Sequence, residues 1–309
     1  MQGRIVALQC GIYSVLADNN LYNVPARGAF RNKNIKPVVG DLIELDVEQG
    51  IITEVKERCS FLKRPTIANL DQMIIVHSLV EPEFSYHLLF KYLTYANQNG
   101  IKVKIVLTKL DRADTKLVNE IKEVFTKLGV DLYFVSNKKK DGINEVRKIF
   151  EGHISCLLGQ SGVGKSSLLN SIDDNFNRQI GEYSKALGRG KHKTKEVILL
   201  PYENGLIADT PGFSSLDLDL FKEDLAQFFP GFNEKYTDCY FSNCLHISEN
   251  RCAVKKALED GDIPQIAYDC YLKLSMEAIS KSERYTRWQK QLNLAIEEEK
   301  KRLLLLLQS

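Results

Sequence analysis

A nine-residue segment near the middle of the chain, GQSGVGKSS at 159–167, has residue types and spacing suited to holding a phosphate. It fits the pattern G-x-x-x-x-G-K-[ST] without a mismatch. Glycines let the backbone curl so that successive N–H groups point at an anion. In such loops the lysine adds positive charge at the terminal phosphates, and the serine hydroxyl ligates magnesium. We therefore predict a nucleotide phosphate loop that consists of Gly159, Gln160, Ser161, Gly162, Val163, Gly164, Lys165, Ser166 and Ser167.

The segments on either side of this loop support the prediction. Residues 154–158 are predicted to form a buried strand, and 165–170 to open a helix, whose N-terminus attracts anions. The alternative is a plain glycine turn, which is not expected to lie between a strand and a helix. Lys165 and Ser166 are the predicted phosphate-binding lysine and magnesium ligand.

A second polar segment, Thr108-Lys109-Leu110-Asp111, directly follows a predicted strand at 103–107. It resembles the N-K-x-D loop of GTP-binding proteins, in which the carboxylate accepts two hydrogen bonds from guanine. Adenine offers no such pair of donors, so an unpaired carboxylate would reject it. We predict that Asp111 reads guanine and that the stem of Lys109 packs across the base. Thr108 is shorter than Asn and is expected to weaken the tie to the phosphate loop. The alternative is an ordinary surface turn.

Other polar residues that follow predicted strands are expected to complete the nucleotide site. Ser136 and Asn137 follow a strand at 132–135 and resemble the second base-contacting loop of GTPases. The sequence D-T-P-G at 209–212 matches D-x-x-G, in which Asp209 would hold magnesium through a water and the Gly212 N–H would contact the γ-phosphate.

The residue that positions the attacking water is not given by these patterns. Ras-like enzymes carry Gln directly after D-x-x-G, whereas this chain has Phe213, which cannot orient water. His192 lies in the segment between the phosphate loop and D-T-P-G and titrates near neutrality, so it is a candidate. A contact with RNA phosphate is an equally good interpretation of His192. Thr194 is predicted to close over magnesium and the γ-phosphate; the alternative for it is an ordinary threonine at a strand edge.

The order of these segments differs from that in ordinary GTPases, where the phosphate loop comes first. Here the base-reading loop at 108–111 precedes the phosphate loop at 159–167, and 209–212 comes last. The same sheet can form if the chain begins at a different strand. Because the last loop leads into the C-terminal region, we hypothesise that the nucleotide state repositions residues 223–309.

Four residues near the C-terminus, Cys239, Cys244, His246 and Cys252, have the spacing C-x4-C-x-H-x5-C. Three thiolates and one imidazole satisfy tetrahedral zinc and leave no position for water, so we predict one structural Zn²⁺. A loop this short has little apolar mass, and metal binding is expected to fold it. The remaining cysteines, Cys10, Cys59, Cys156 and Cys270, are interpreted as ordinary apolar residues.

Composition places the chain among globular proteins of two or three domains. It has 309 residues, of which 44% are hydrophobic and 27% charged. No apolar run approaches the ~20 residues that span a bilayer, and the N-terminus lacks a secretory segment. Seven cysteines without such a segment favour reduced thiols, so we expect a cytoplasmic protein. The net charge of +2 gives no global attraction to nucleic acid. Basic residues do cluster at 27–36 and 185–195, and each cluster is interpreted either as a patch that contacts phosphates or as a solvated loop.

Three regions follow from the periodicity of the chain. Residues 1–64 contain short alternating strands typical of a small barrel, either an OB-fold or an SH3-like barrel. Residues 65–222 alternate strands and helices, which predicts a parallel sheet with helices on both faces. Residues 223–309 contain the cysteine cluster and are otherwise predicted to be helical. A long helix is predicted at 276–307, and it is interpreted either as an arm that binds a partner or as a solvated helix. The predicted fold is therefore multidomain α/β.

Together these elements resemble the RsgA family of circularly permuted GTPases, also called YjeQ or YloQ. The resemblance runs nearly end to end and rests on GQSGVGKSS, DTPGF, the GRGKHxT loop and the cysteine pattern. It implies an OB-fold, a permuted GTPase and a zinc domain. It also implies slow, magnesium-dependent GTP hydrolysis to GDP, stimulated by the small (30S) ribosomal subunit, with binding to 16S rRNA. His192 carries over as the proposed catalytic residue. Thr108 in place of Asn and Lys193 in place of Thr are departures, and a monomer is expected.

Two other functions remain open at this point. One is an ATP-using P-loop kinase or ATPase, against which Asp111 and D-T-P-G argue. The other is a nucleic-acid-binding zinc protein that changes shape with nucleotide but does not turn it over, which the missing Gln leaves open. Phosphate release with and without 30S particles separates these alternatives from a ribosome-stimulated GTPase.

Overall fold

The computed structural model describes residues 1–26, 36–174, 176, 197–209, 216 and 218–278. The chain divides into two compact units, Met1–Leu216 and Asp217–Ser309. The finer division predicted from the sequence, with boundaries after residues 64 and 222, stays a prediction. Within the described ranges, every helix is too short or too polar to cross a lipid bilayer.

The first unit begins with an antiparallel sheet of five strands in the order β3-β2-β1-β4-β5. A bridge between Ala26 and Ile52 brings the end of β3 to β5, so the sheet closes on itself. This connectivity is that of the OB-fold and resolves the choice left open between two barrels. A short hairpin, β6–β7, follows the barrel. The strands are β1 (Gln2–Gln9), β2 (Ile12–Ala17), β3 (Asn20–Pro25), β4 (Leu42–Asp46), β5 (Ile51–Val55), β6 (Phe61–Lys63) and β7 (Thr66–Ala68).

A six-stranded sheet follows, with the order β10-β9-β8-β11-β13-β12. Strands β10, β9, β8, β11 and β13 pair in parallel, which confirms the predicted α/β class. All seven residues of β8 are buried because this strand lies in the middle of a sheet covered on both faces. The strands are β8 (Gln72–Ser78), β9 (Lys102–Thr108), β10 (Leu132–Phe134), β11 (Ile154–Leu158), β12 (Ile198–Tyr202) and β13 (Gly205–Asp209).

In the described residues of this region, four helices follow strands of the sheet. Their apolar residues recur with helical spacing, as in α2, where Val118, Ile121 and Phe125 are buried. Ser85 and Asp114 cap α1 and α2, since each side chain accepts a hydrogen bond from a backbone N–H in the first turn. The helices are α1 (Tyr86–Gln98), α2 (Thr115–Lys127), α3 (Ile143–Phe150) and α4 (Lys165–Ile172).

The edge of this sheet departs from the predicted parallel arrangement. Strand β12 pairs with β13 in antiparallel fashion, with Tyr202 opposite Gly205. Only Glu203 and Asn204 separate the two strands, and a connection this short can form only a hairpin. Alternation of strands and helices elsewhere in the region did not reveal this exception.

The barrel and the six-stranded sheet share apolar contacts. Ala7 of β1 is 1% exposed and belongs to the same buried cluster as Ile198 and Leu200 of β12. The cluster continues through Ile74, Val106 and Leu157 of the central strands. The first unit therefore has a core that runs from the barrel into the sheet.

The second unit is helical in its described residues, 218–278, which contain no strand. Its core is aromatic: Phe229, Phe232 and Tyr271 are buried and contact one another. Its helices are α5 (Leu225–Phe228), α6 (Ala253–Glu259) and α7 (Gln265–Glu277). Helix α7 ends at Glu277, and the next residue, Ala278, has extended backbone angles. The rest of the long helix predicted at 276–307 lies outside the described residues.

Candidate nucleotide site and cysteine–histidine cluster

The phosphate loop passes between β11 and α4, as predicted. Gly159 follows β11 directly, and a Cβ at this position would lie 2.1 Å from the carbonyl oxygen of Val76 in β8. Gly164 has φ 97° and occupies the N-cap of α4, a left-handed conformation that favours glycine. The loop therefore packs closely against the end of β8. It leads directly into the N-terminus of α4, where anions bind.

Lys165 lies at the first position of α4 with its amine turned back over the loop. Its Nζ donates hydrogen bonds to the carbonyl oxygens of Gly159 at 2.6 Å and Gln160 at 2.8 Å. Ser166 and Ser167, in the same turn, are exposed, whereas Val163 is buried in the core. The first turn of α4 therefore offers one cation and two exposed hydroxyl groups, and Val163 anchors the loop in the core.

Thr108 joins the base-reading segment to the phosphate loop. The residue is fully buried at the end of β9, and its hydroxyl donates a hydrogen bond to the carbonyl oxygen of Val163 at 2.5 Å. The sequence alone predicts a weaker tie, because Thr is shorter than Asn. The described contact shows that the hydroxyl reaches the phosphate loop directly, across 55 residues of sequence.

Lys109 provides a second connection between the two loops. Its φ of 63° turns the chain at the end of β9 into a short 3₁₀ turn, Leu110–Arg112. Its Nζ donates to the carbonyl oxygen of Gly162 at 3.1 Å and also to that of Glu81. The stem of Lys109 therefore lies along the gap between the base-reading segment and the phosphate loop.

Asp111 is held by Ser136, from the loop after β10. The Ser136 hydroxyl donates to Oδ1 of Asp111 at 2.6 Å, and this hydrogen bond lowers the pKa of the carboxyl group. Ser136 is itself fixed by backbone hydrogen bonds in both directions with Asp141. The carboxylate is therefore ionised at neutral pH and oriented by a rigid neighbour.

Asn137 lies between the base-reading segment and the phosphate loop. Its Nδ2 would be 3.5 Å and the Thr108 Oγ1 3.7 Å from a Cβ added to Gly164, so the two side chains border the same point of the loop. Its Oδ1 is buried and has no hydrogen-bond partner in the described part of the chain. The structure thus brings together residues 108–111, Ser136, Asn137 and the phosphate loop.

The loop after β8 also borders this site, although no sequence motif marks it. Glu81 forms a two-point ion pair with Arg112, each oxygen–nitrogen distance being 3.0 Å, and this pair lowers the pKa of the Glu81 carboxyl group. The Glu81 carbonyl also accepts a hydrogen bond from Lys109. The one available signal was position, because this loop leaves the carboxyl end of a strand next to β9 and β11.

Several predicted nucleotide-site residues cannot be placed relative to these loops. Asp209 is the last residue of β13, whereas the sequence predicted that it directly follows the strand, and its side chain lies outside the described structure. His192, Thr194 and Gly212 also fall outside the described residues, as do the basic segments at 27–35 and 185–195. Their assigned roles stay predictions.

The four cluster residues of the second unit converge as the spacing predicted. Cys239, Cys244, His246 and Cys252 place their ligand atoms within 4.8 Å of one another. The Cys239 and Cys252 sulfurs are 3.8 Å apart, and His246 Nδ1 lies 3.5 Å and 3.3 Å from them. Two sulfurs that each lie ~2.3 Å from one tetrahedral zinc ion are separated by about 3.8 Å. These separations fit a metal ion.

Backbone N–H groups and a neutral imidazole suit this cluster to a cation. The N–H groups of Ala253 and Lys255 donate to the sulfurs of Cys239 and Cys252 at 3.3 Å and 3.4 Å, which favours thiolates. Burial lowers the pKa of His246, which is 2% exposed, so its ring is neutral and able to ligate. The cluster can therefore hold a metal ion.

Helix α7 supports the loop that carries His246. The hydroxyl groups of Tyr268 and Tyr271 donate to the carbonyl oxygens of His246 and Leu245 at 2.8 Å and 3.0 Å. The carboxylate of Glu249 accepts hydrogen bonds from three backbone N–H groups of the same loop, those of Leu245, Ile247 and Ser248. Sequence spacing identified the ligands but not these supporting residues.

Comparison with known proteins agrees with this geometry. The family model described as RsgA GTPase matches residues 55–219, and that described as RsgA N-terminal domain matches residues 2–52. The chain is 41% identical over 290 residues to the "Small ribosomal subunit biogenesis GTPase RsgA" of Halalkalibacterium halodurans, covering 92% of this chain and 99% of that protein. It is 38% identical over 296 residues to the protein of the same name from Bacillus subtilis, with the same coverage.

Solved structures extend the similarity to three dimensions. YjeQ from Thermotoga maritima superimposes with a TM-score of 0.79 and 32% sequence identity, covering 89% of this chain and 97% of that one. YloQ, described as a circularly permuted GTPase, superimposes with a TM-score of 0.74 and 36% identity, covering 89% and 94%. These matches agree with the permuted order of the loops and with the position of the phosphate loop. The chain belongs to the RsgA GTPase family.

Proposed function

We propose that this protein binds GTP in the site described above, hydrolyses it with the help of magnesium, and assists late maturation of the small ribosomal subunit through contacts with 16S rRNA. The observation that carries the proposal is the joining of two loops that bind different parts of a nucleotide. Thr108 and Lys109 tie the phosphate loop to the segment that ends in Asp111. An ionised carboxylate on a segment that is tied to a phosphate cradle is suited to guanine.

The chain's own residues divide the work on the nucleotide. Lys165 and the loop N–H groups bind the β- and γ-phosphates, and Asp111 with Lys109 binds the base. Ser166, exposed in the first turn of α4, is the proposed magnesium ligand, together with Thr194 and, through a water, Asp209. When bound, magnesium neutralises charge that develops on the phosphate oxygens.

Hydrolysis is proposed to be slow without a partner. Phe213 stands where Ras-like enzymes have a water-orienting Gln, and His192 is the candidate for that task. The relatives' names associate them with small-subunit biogenesis, which favours the 30S subunit as the partner that accelerates the reaction. We place this activity in the cytoplasm, with the protein acting as a monomer.

The cysteine–histidine cluster is proposed to hold one structural Zn²⁺. Three sulfurs and one imidazole fill a tetrahedral site, so no position is left for a reactive water. Burial raises the pKa of the Cys244 thiol to about 12. A divalent cation would offset this effect by stabilising the thiolate.

Release of phosphate from GTP, measured with and without purified 30S subunits, tests the proposed function. We expect slow release alone and a marked increase with subunits, and competition for the site by GTP and GDP but not by ATP. Lys165→Ala, which removes the phosphate-binding amine, is the negative control. Equal binding of ATP and GTP, or turnover that subunits do not change, would contradict the proposal.

A further inference from the structure

Two adjacent aromatic side chains are exposed on the loop that carries the metal-binding residues. Tyr240 is 65% exposed and Phe241 46%, and their rings meet edge to face with centroids 4.9 Å apart. Ile247, on the same loop, is 38% exposed. Of the eight large hydrophobic residues that are exposed in the described ranges, these three lie between Cys239 and Cys252. A concentration of exposed apolar surface on so short a segment indicates an interaction site.

Arg251 and the backbone hold the two rings in place. The Arg251 guanidinium lies over the Tyr240 ring, 4.9 Å from its centroid. The Tyr240 N–H donates to the Arg251 carbonyl oxygen at 3.2 Å, and the Cys244 N–H donates to that of Phe241 at the same distance. Because Tyr240 and Arg251 directly adjoin Cys239 and Cys252, a metal ion that held these cysteines would also hold the rings in place.

The polar groups near the rings suit a nucleic acid. Ser242 and Asn243, which follow Phe241, are exposed and can hydrogen-bond to base edges. Lys255 of α6 donates to the Glu249 carbonyl oxygen at 3.1 Å, which places a second cation beside this loop in addition to Arg251. The Glu249 carboxylate is occupied by backbone N–H groups of its own loop. Exposed rings with a stacked guanidinium are the features with which proteins bind unpaired bases.

We propose that Tyr240 and Phe241 form a platform on which unpaired bases of single-stranded RNA stack, with Arg251 contributing its planar cation beside them. The inference rests on the proposed function, in which RNA is the partner, and adds the residues and the type of RNA segment. Stacking does not require a particular base because every base has a π-face. The platform therefore selects unpaired over paired RNA rather than one sequence.

Binding of the full-length protein to a labelled 12-nucleotide oligouridylate and to a 12-base-pair RNA duplex tests the platform, by fluorescence anisotropy at one fixed salt concentration. The double variant Tyr240→Ala/Phe241→Ala is expected to bind the single strand about tenfold or more weakly, with duplex binding unchanged. Tyr240→Phe/Phe241→Tyr keeps both rings and is expected to bind within about twofold of the unaltered protein. Ile247→Ala, which removes an exposed side chain without a ring, is the matched control.

Metal content and GTP turnover of each variant separate a folding defect from a lost contact. The platform is supported if the alanine variant keeps its metal and its basal turnover and loses affinity for the single strand alone. It is overturned if that variant binds the single strand normally, or loses affinity for strand and duplex equally. If the unaltered protein is stimulated by 30S subunits but does not bind the oligouridylate, the platform fails and the proposed function stands. If stimulation itself is absent, the proposed function fails on its own measurement.

Discussion

The nucleotide site and the cysteine–histidine cluster place their functional groups by different means. In the nucleotide site, loops extend from the ends of parallel strands, and the buried Thr108 hydroxyl ties two of them together by donating to the Val163 carbonyl oxygen. In the cluster, four side chains on one short loop face one another, supported by Tyr268 and Tyr271. The first site is positioned by a buried sheet, whereas the second surrounds the position of the ion that would hold it together.

This difference teaches where ligand dependence should appear. A site positioned by a buried sheet keeps its shape when empty, so single substitutions there change affinity. A loop whose polar and sulfur groups face inward lacks a comparable core, so loss of its ion changes the structure itself. The predictions below test this contrast.

The largest effect is expected from Cys252→Ser. Serine preserves the N-cap of α6, where the Cys252 sulfur now accepts a hydrogen bond from Lys255, but removes a metal ligand. Because zinc binding contributes ~10–16 kcal/mol in small zinc peptides, we expect loss of bound zinc and rapid hydrogen exchange over residues 239–252. Metal analysis and hydrogen-exchange mass spectrometry measure both. Cys10→Ser, at an exposed cysteine, is the control, and GTP affinity that falls together with the zinc would contradict the contrast.

Asp111→Asn is expected to weaken GTP binding roughly 100-fold or more, because two hydrogen bonds from guanine lose their charged acceptor. Xanthosine triphosphate carries a carbonyl group where guanine carries its amino group, so the Asn amide should partly restore binding of that nucleotide. Titration with fluorescent nucleotides measures both affinities. Asp114→Asn, which replaces an acid by an amide at the N-cap of α2, is the matched control and should bind GTP normally. Unchanged GTP affinity in Asp111→Asn would remove Asp111 as the base reader.

Thr108→Val tests the tie between the two loops. Valine has nearly the same shape but leaves the buried Val163 carbonyl oxygen without its donor, at a cost of ~1–3 kcal/mol. We expect about tenfold weaker GTP binding by calorimetry, with the unfolding of the cluster loop unaffected. Thr108→Ser keeps the hydroxyl and should bind nearly as well as the unaltered protein. If valine and serine behave alike, the hydrogen bond does not organise the site.

The smallest effect is expected from Ser136→Ala, which removes the donor that lowers the pKa of Asp111. A depressed pKa keeps this carboxylate charged as the pH falls, so GTP binding is present above that pKa and is lost as the pH falls through it. In Ser136→Ala the pKa rises toward its ordinary value, and the loss of binding should begin at a higher pH. At pH 7 we expect about twofold weaker binding. Titrations that extend from pH 7 to below about pH 4, the ordinary range of an Asp carboxyl group, check this, and identical profiles for both proteins across that range would show that Ser136 does not influence Asp111.

The features that could be predicted from the sequence are those whose residues lie close together along the chain. The phosphate loop between β11 and α4, and the four cluster ligands, follow from short patterns whose spacing fixes local geometry. The β6–β7 hairpin was missed because strands of three residues, Phe61–Lys63 and Thr66–Ala68, are too short to show alternation. The antiparallel pairing of β12 was missed because a pattern of strands gives no direction of pairing.

Contacts between distant segments could not be predicted. Thr108 looked like a poor substitute for Asn because its partner, Val163, becomes its neighbour only when β9 and β11 flank β8. The pairing of Glu81 with Arg112 and the support of His246 by Tyr268 likewise depend on packing. Residue types therefore identified the chemical groups, and the fold determined which of them act together.

The apolar cluster that Ala7 shares with Ile198 and Leu200 has a consequence for how the chain melts. Since the barrel and the six-stranded sheet bury part of the same interior, neither can open without exposing the other, and heating should melt them in one transition. Strand β12 contributes to that shared interior and begins at Ile198, two residues after the segment 187–196, which includes His192 and Thr194. If GTP binding rearranges those residues, the melting temperature of the barrel should therefore change.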